Sequence, residues 1–160
     1  HHNRLVDGSP FNIWFSMDSS PAEGYIYHNT IVRGTAGVVV SLKGAKQKFS
    51  TPKWHLLNNL VLSEEGFFDQ YGETPPVDFT AAHNVSTGSR RPWQSAKGRD
   101  LGSVYEAKID HDENGRPAKG SAAVNAGLDL STYLNGKPLP GCEPGYFRGL
   151  APDAGADEVE

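Results

Sequence analysis

The 160-residue chain has a single cysteine, a single methionine, no long apolar run and no excess of positive charge. Each shortage closes a class of explanation. Cys142 has no second cysteine to join, so an internal disulfide framework and zinc sites built of several cysteines are excluded, and a small buried or loop thiol is expected. No stretch approaches the roughly 18 apolar residues that a membrane span needs. Fifteen basic residues stand against 19 acidic ones, mixed along the chain, for a formal net charge of −4. Neither nucleic acid nor an acidic membrane surface is therefore an expected partner.

What the chain has in quantity is turn chemistry. Eighteen glycines and 11 prolines accompany 37% hydrophobic residues, the balance of a loop-rich globular domain that buries a sizeable core. A short pattern recurs within it: His2-Asn3-Arg4-Leu5-Val6, His28-Asn29-Thr30-Ile31-Val32, Asn58-Asn59-Leu60-Val61-Leu62 and His83-Asn84-Val85. The second residue of each corner is asparagine, at intervals of 26, 30 and 25 residues. A unit of that length returning four times is the mark of a stacked repeat.

The unit reads as short strand, polar corner, short strand, which predicts successive coils of a parallel β-helix. A tight corner forces one residue toward left-handed backbone angles, which asparagine tolerates. Stacking the coils also lays identical amides over one another, where they pass hydrogen bonds along the pile. His1-His2 belongs to this pattern, because His2-Asn3 fills the slot that His28-Asn29 and His83-Asn84 fill later. The chain thus opens in mid-repeat and is expected to be the C-terminal portion of a longer β-helix. The lack of a signal segment says little in that case. An uncapped first coil would call for preceding coils, a companion chain or a cap.

Between corners, Phe11 to Asp18 alternates as a half-buried strand, with Asn12, Trp14, Ser16 and Asp18 outward. Val38 to Lys43 and the less regular Phe67 to Tyr71 read as its copies. After Asn84 the period is expected to fail. Gly88 to Gly102 reads as a long insertion, carrying Arg90, Arg91 and Trp93. Coils are assigned to residues 1–110 and an irregular closing segment of the same domain to 111–160.

Three blocks punctuate that closing segment: Gly115-Arg116-Pro117, Gly120-Ser121-Ala122-Ala123-Val124-Asn125-Ala126-Gly127 and Pro152-Asp153-Ala154-Gly155-Ala156-Asp157-Glu158. Their order resembles the end of secreted right-handed parallel β-helix proteins of the pectin-lyase-like superfamily, where the blocks run roughly R-P, G-S-P-A-I-D-A-G and P-D-I-G-A-Y-E. This chain departs at Ala122 for Pro, Asn125 for Asp, Ala154 for Ile and Asp157 for Tyr. The resemblance implies an all-β, right-handed, single-stranded parallel β-helix of about four coils, with a loop-rich C-terminal segment capping the last one. It also implies a secreted, periplasmic or cell-surface location and a carbohydrate-active protein, a polysaccharide lyase or glycoside hydrolase. A noncatalytic glycan-binding, adhesive or structural module is the alternative, since a fold does not fix a reaction.

If the three long strands stack, their outward rows gather Asp18, Lys43 and Asp69 as candidate catalytic groups, with Trp14 and Tyr71 as flat surfaces for a sugar ring. Asp18 and Asp69 would serve a hydrolase as paired carboxylates. Lys43 would serve a lyase as base, with Arg90 or Arg91 neutralising a uronate and Trp93 beside them on the insertion. The same residues also read as solvated outer positions of a sheet whose working coils lie upstream. His2, His28 and His83 are expected to form an outward stack at the corner, with no metal assigned to it. Asp110 to Gly115 imitates half of a calcium loop, but its twelfth position is Ser121 rather than a bidentate glutamate, so a turn is the expectation, a calcium ion is the alternative on an incomplete motif, and no cofactor is assigned. Asn84-Val85-Ser86 has the form of a glycosylation sequon, though a ladder asparagine would be out of reach.

Overall fold

The computed structural model describes residues 1–6, 11–16, 23–32, 36–41, 53–66, 68–71, 78–89 and 99–159. Among them there are eleven strands and no helix: β1 (Arg4–Val6), β2 (Phe11–Ser16), β3 (Glu23–Tyr27), β4 (Thr30–Val32), β5 (Ala36–Ser41), β6 (Lys53–Leu57), β7 (Leu60–Leu62), β8 (Phe68–Tyr71), β9 (Asp78–Ala82), β10 (Val85–Ser86) and β11 (Arg99–Leu101). They form three sheets, ordered β1-β4-β7-β10, β3-β6-β9-β11 and β2-β5-β8. Every strand pairing in them is parallel. The chain is all-β, and through β9 it visits the three sheets in turn. No helix among the described residues is long and apolar enough to cross a membrane.

The corners between β3 and β4, β6 and β7, and β9 and β10 are two residues long, and their two positions do different work. Left-handed angles fall on the first: φ is 51° at His2, 49° at His28, 53° at Asn58 and 53° at His83. The conserved shape of the corner is therefore borne mostly by histidine, not by the recurring asparagine, which corrects the backbone argument made for the latter.

The second position is the amide pile. Asn3 Nδ2 donates to Asn29 Oδ1 at 3.1 Å, Asn29 Nδ2 to Asn59 Oδ1 at 2.9 Å, and Asn59 Nδ2 to Asn84 Oδ1 at 2.9 Å. Each of those oxygens also accepts the backbone N–H of the preceding rung's asparagine. The second amide hydrogens of Asn29, Asn59 and Asn84 go to the carbonyls of Tyr27, Ile26 and Leu56. Asn29, Asn59 and Asn84 are almost wholly buried, so this saturation is what makes their burial affordable. It also commits the sequon residue Asn84 to the interior.

The pile does not stop there. Asn84 N and Nδ2 meet Ser103 Oγ at 3.2 and 3.4 Å, and Gly102, with φ 69°, takes the corner position ahead of Ser103. β11 pairs with β9, and Val104 bridges Val85. The period expected to fail after Asn84 runs one rung further, with serine as its terminal acceptor.

Strand alternation sorts the apolar residues into two sets. Tyr27, Leu57 and Ala82 form one register column and pack against Leu130, Leu139 and Cys142 of the closing segment. Leu60, Val85, Val32 and Leu62 pack against its Ala123 and Ala154. The alternate column Ile26, Leu56, Ala81 and its counterpart Ile31, Val61 therefore point away from that segment, into the interior, and all are buried. The closing segment lies along the flank of the pile across several rungs, rather than over the last one alone. Each leucine it buries against the strands contributes about 2 kcal/mol.

Its path is held by polar contacts at the same rungs. Asn58 clamps Leu128 in both directions, Nδ2 to O at 2.7 Å and N to Oδ1 at 2.8 Å. Gly155 N donates to Asn58 O and Ala156 N to Thr30 Oγ1. Gly155 sits at φ 115° with Thr30 and Leu60 where a Cβ would go, so no other residue fits there. Arg4 pairs with Asp157. The second and third blocks singled out in the sequence bind one another: Gly127 N to Pro152 O at 2.7 Å, Ala154 N to Ala123 O at 2.8 Å and Asn125 N to Asp153 Oδ1 at 2.6 Å. The calcium-like stretch is a turn in which Asp112 Oδ1 accepts the N–H groups of Asn114 and Arg116.

Candidate functional site

Four residues before each of the last four rung residues stand Tyr25, His55, Thr80 and Arg99, and parallel register puts them in one column. Two positions earlier Glu23, Lys53 and Asp78 form a second column on the same face. Strand alternation places both columns on the side of the sheet that carries Tyr27 and Leu57, the side the closing segment covers only in part.

At this face three elements meet on one imidazole. His55 Nε2 lies 3.1 Å from Glu23 Oε1, and His55 Nδ1 lies 2.9 Å from the Tyr133 hydroxyl, contributed by the closing segment. Tyr25 stacks on the imidazole at 4.4 Å, and Tyr133 meets both rings edge-on. A carboxylate only accepts, so the proton of a neutral His55 sits on Nε2 and its Nδ1 accepts from the Tyr133 O–H. The result is a hydrogen-bonded chain from carboxylate to imidazole to phenol.

The electrostatics sharpen these roles. Hydrogen bonds from Tyr25 and then His55 hold the Glu23 carboxyl below the usual carboxylate range. Burial, followed by its bond to Glu23, pushes the Tyr25 phenol up to about 12. Burial, and then the charge of Glu23, raises Tyr133 as well. At neutral pH the cluster thus holds two protonated phenols, one ionised carboxylate and an imidazole between them. Such a set can donate the Tyr133 proton to a leaving oxygen, with His55 Nδ1 holding the phenol in place.

A second cluster lies where the first two rungs meet the closing segment. The ligating atoms of His2, His28 and Cys142 all lie within 4.8 Å of one another. His28 is 1% exposed and stacks on His2 with ring centroids 4.8 Å apart. Burial, and then the neighbouring His2, lower the His28 imidazole to about 4. Burial pushes the Cys142 thiol up to about 11. Of the outward stack expected of His2, His28 and His83, only His2 and His28 form a ring pair, with His2 exposed and His28 buried, while His83 stands apart with its Nδ1 2.9 Å from Ala126 O.

Of the residues singled out in the sequence, Trp14 and Asp69 share one register column through Val39, and Tyr71 lies in another with Ser16 and Ser41. Asp18, Lys43, Arg90, Arg91 and Trp93 lie outside the described residues. The Glu23, His55 and Tyr133 cluster was not foreseen. Tyr25 and His55 were findable by their common offset from the rung asparagines, whereas Tyr133, 78 residues beyond His55, carried no such signal. Comparison of the chain with protein-family models, with curated proteins and with solved structures finds no match.

Proposed function

We propose that the chain is the C-terminal part of a right-handed, single-stranded parallel β-helix of about four coils, and that the whole protein acts on a polysaccharide as a lyase or glycoside hydrolase. The three-sheet rotation of strands through β9 and the shared rung at Asn3, Asn29, Asn59 and Asn84 support the coiled path. The right hand follows from the strong preference of parallel crossovers for it. The pile is polar, since each Oδ1 accepts from the rung before it, so the oxygen of Asn3 suits a further rung of preceding coils or a companion chain. Secretion to the cell surface or beyond fits such a protein and belongs to the same proposal.

The observation that carries the catalytic reading is the Glu23–His55–Tyr133 chain on an outer sheet face, with Lys53 in the column of Glu23 and Arg99 in that of His55. In this reading Tyr133 gives its proton to the glycosidic oxygen as the bond from that oxygen to the sugar carbon breaks. The phenolate regains a proton from the water that adds to that carbon in hydrolysis, or from the carbon-bound hydrogen lost in elimination, while His55 Nδ1 holds the phenol in place and Glu23 fixes the ring through Nε2.

The test is cleavage of acidic and neutral polysaccharides by the full chain, followed as new reducing ends and as the absorbance of an unsaturated sugar, which separates hydrolysis from elimination. Tyr133→Phe and His55→Ala should each lower the rate on the order of 100-fold, the usual worth of a positioned acid–base group. Glycan binding without cleavage would assign the module to recognition. Cleavage that survives both substitutions would remove this cluster from the chemistry.

A further inference from the structure

We propose that His2, His28 and Cys142 form a binding site for a divalent transition metal of the zinc type. The site joins the first two rungs to the closing segment and is independent of the polysaccharide reading. Its donor set is two imidazoles and one thiol, which selects borderline metals such as zinc and cobalt over calcium or magnesium.

The geometry is close to what such an ion needs. Zinc sits at about 2.3 Å from sulfur and about 2.0 Å from imidazole nitrogen, so tetrahedral ligands lie roughly 3.5 Å apart. The three atoms here span at most 4.8 Å. The excess of about an ångström closes by swinging His2 out of its stack, and His2 is the exposed member of the three. The other two are held in place. Cys142 N bonds Leu139 O at 2.9 Å in a tight turn, and the carbonyl of Pro140 in that turn accepts the Tyr27 hydroxyl at 2.8 Å.

His28 is oriented as a ligand imidazole is oriented in metal sites. Its Nδ1 faces the Gly155 carbonyl at 3.3 Å, so Nδ1 carries the proton and Nε2 the lone pair. That lone pair now rests on Asn58 Nδ2 at 3.1 Å. Asn58 Nδ2 also donates to Leu128 O at 2.7 Å, so it keeps a partner when Nε2 turns to the metal. The ring is neutral near pH 7 and needs no deprotonation. Cys142 is protonated without metal, and binding exchanges its proton for the ion: the S–H bond breaks, the S–metal bond forms, and one proton leaves to solvent. Glu143 and Asp129, whose charges act on the thiol, favour a cation at the same place. Water completes the fourth position.

The experiment titrates the full chain with zinc and with cobalt as a spectroscopic probe. One ion per chain, a thiolate-to-cobalt charge-transfer band, release of one proton and a raised unfolding temperature are expected. Cys142→Ala should abolish the band, and His28→Gln should weaken zinc binding on the order of 100-fold. Binding without a thiolate band, or with equal strength in Cys142→Ala, would mean adventitious chelation by surface histidines and would overturn the site, as would the lack of stoichiometric binding at micromolar protein. The band is read on the unsubstituted chain, so misfolding of a variant leaves the outcome decided.

Discussion

Two adjacent columns run along the same corner and differ by one residue in sequence. Asn3, Asn29, Asn59, Asn84 and Ser103 form the first; His2, His28, Asn58, His83 and Gly102 form the second. The first is satisfied largely by copies of itself: Asn3, Asn29 and Asn59 each donate to the next amide, and Asn29, Asn59 and Asn84 also to a strand carbonyl. The second shares only its positive φ, and where its side chains bond they bond something different at each level: another imidazole, Gly155 O, Leu128, Ala126 O. A column that completes itself has to keep one residue type. A column that faces another segment takes whichever residue that segment requires, and both the flank packing and the His2–His28–Cys142 cluster sit there.

The largest effect that would break this contrast is in the self-completing column. Asn59→Ala removes the oxygen that accepts both Asn29 N–H and Asn29 Nδ2, and it removes two further donations, to Asn84 Oδ1 and Ile26 O. Two buried donors and a cavity remain, at about 1 to 3 kcal/mol for each unpaired group. A loss of about 3 kcal/mol is expected in urea unfolding, as a lower midpoint at unchanged slope. A loss below about 1 kcal/mol would mean that the rungs do not depend on one another.

The same contrast explains what could be read from sequence. The four asparagines were legible because identity recurs wherever a residue must bond its own copy. Ser103 was not, because a terminal rung has only to accept, and a hydroxyl does that as well as an amide. All-β parallel stacking of the strands followed from the repeat. The route of the closing segment did not, since Leu130, Leu139 and Cys142 meet Tyr27, Leu57 and Ala82 across long sequence separations with no period linking them. For the same reason the histidine column was read as outward-facing. His2 does stay exposed, but nothing in His28 and His83 themselves says that a later segment bonds them. Asn125 departs from the expected aspartate, yet its oxygen accepts Leu150 N and Ala151 N, so the turn needs an acceptor and not a charge.

A smaller effect separates the two jobs of the second column. Asn58→Ala loses the clamp on Leu128 and places a Cβ-bearing residue without asparagine's local hydrogen bonding at φ 53°. Asn58→Gly loses the clamp but is at ease with that angle. About 2 kcal/mol is expected for alanine, from one unpaired N–H and one strained residue. Glycine should recover about 1 kcal/mol of it in the same unfolding assay. Equal losses would show that the angle costs nothing here and that the clamp carries the whole effect.

The smallest effect tests the pile at its exposed end. Asn3 is solvent-exposed, and Asn3→Ala takes away one donation to Asn29 Oδ1 while that oxygen still receives the backbone N–H of residue 3 at 3.2 Å. Water can take the vacated place, so no buried group is stranded, and about 0.5 kcal/mol is expected. The same asparagine chemistry should thus span a roughly sixfold range from Asn59 to Asn3, set by burial and by rungs on both sides. If another rung stacks on Asn3 in a longer chain, the effect of Asn3→Ala measured there should rise to that of Asn59→Ala. A value that stays near 0.5 kcal/mol in the longer chain would separate Asn3 from any continuing pile.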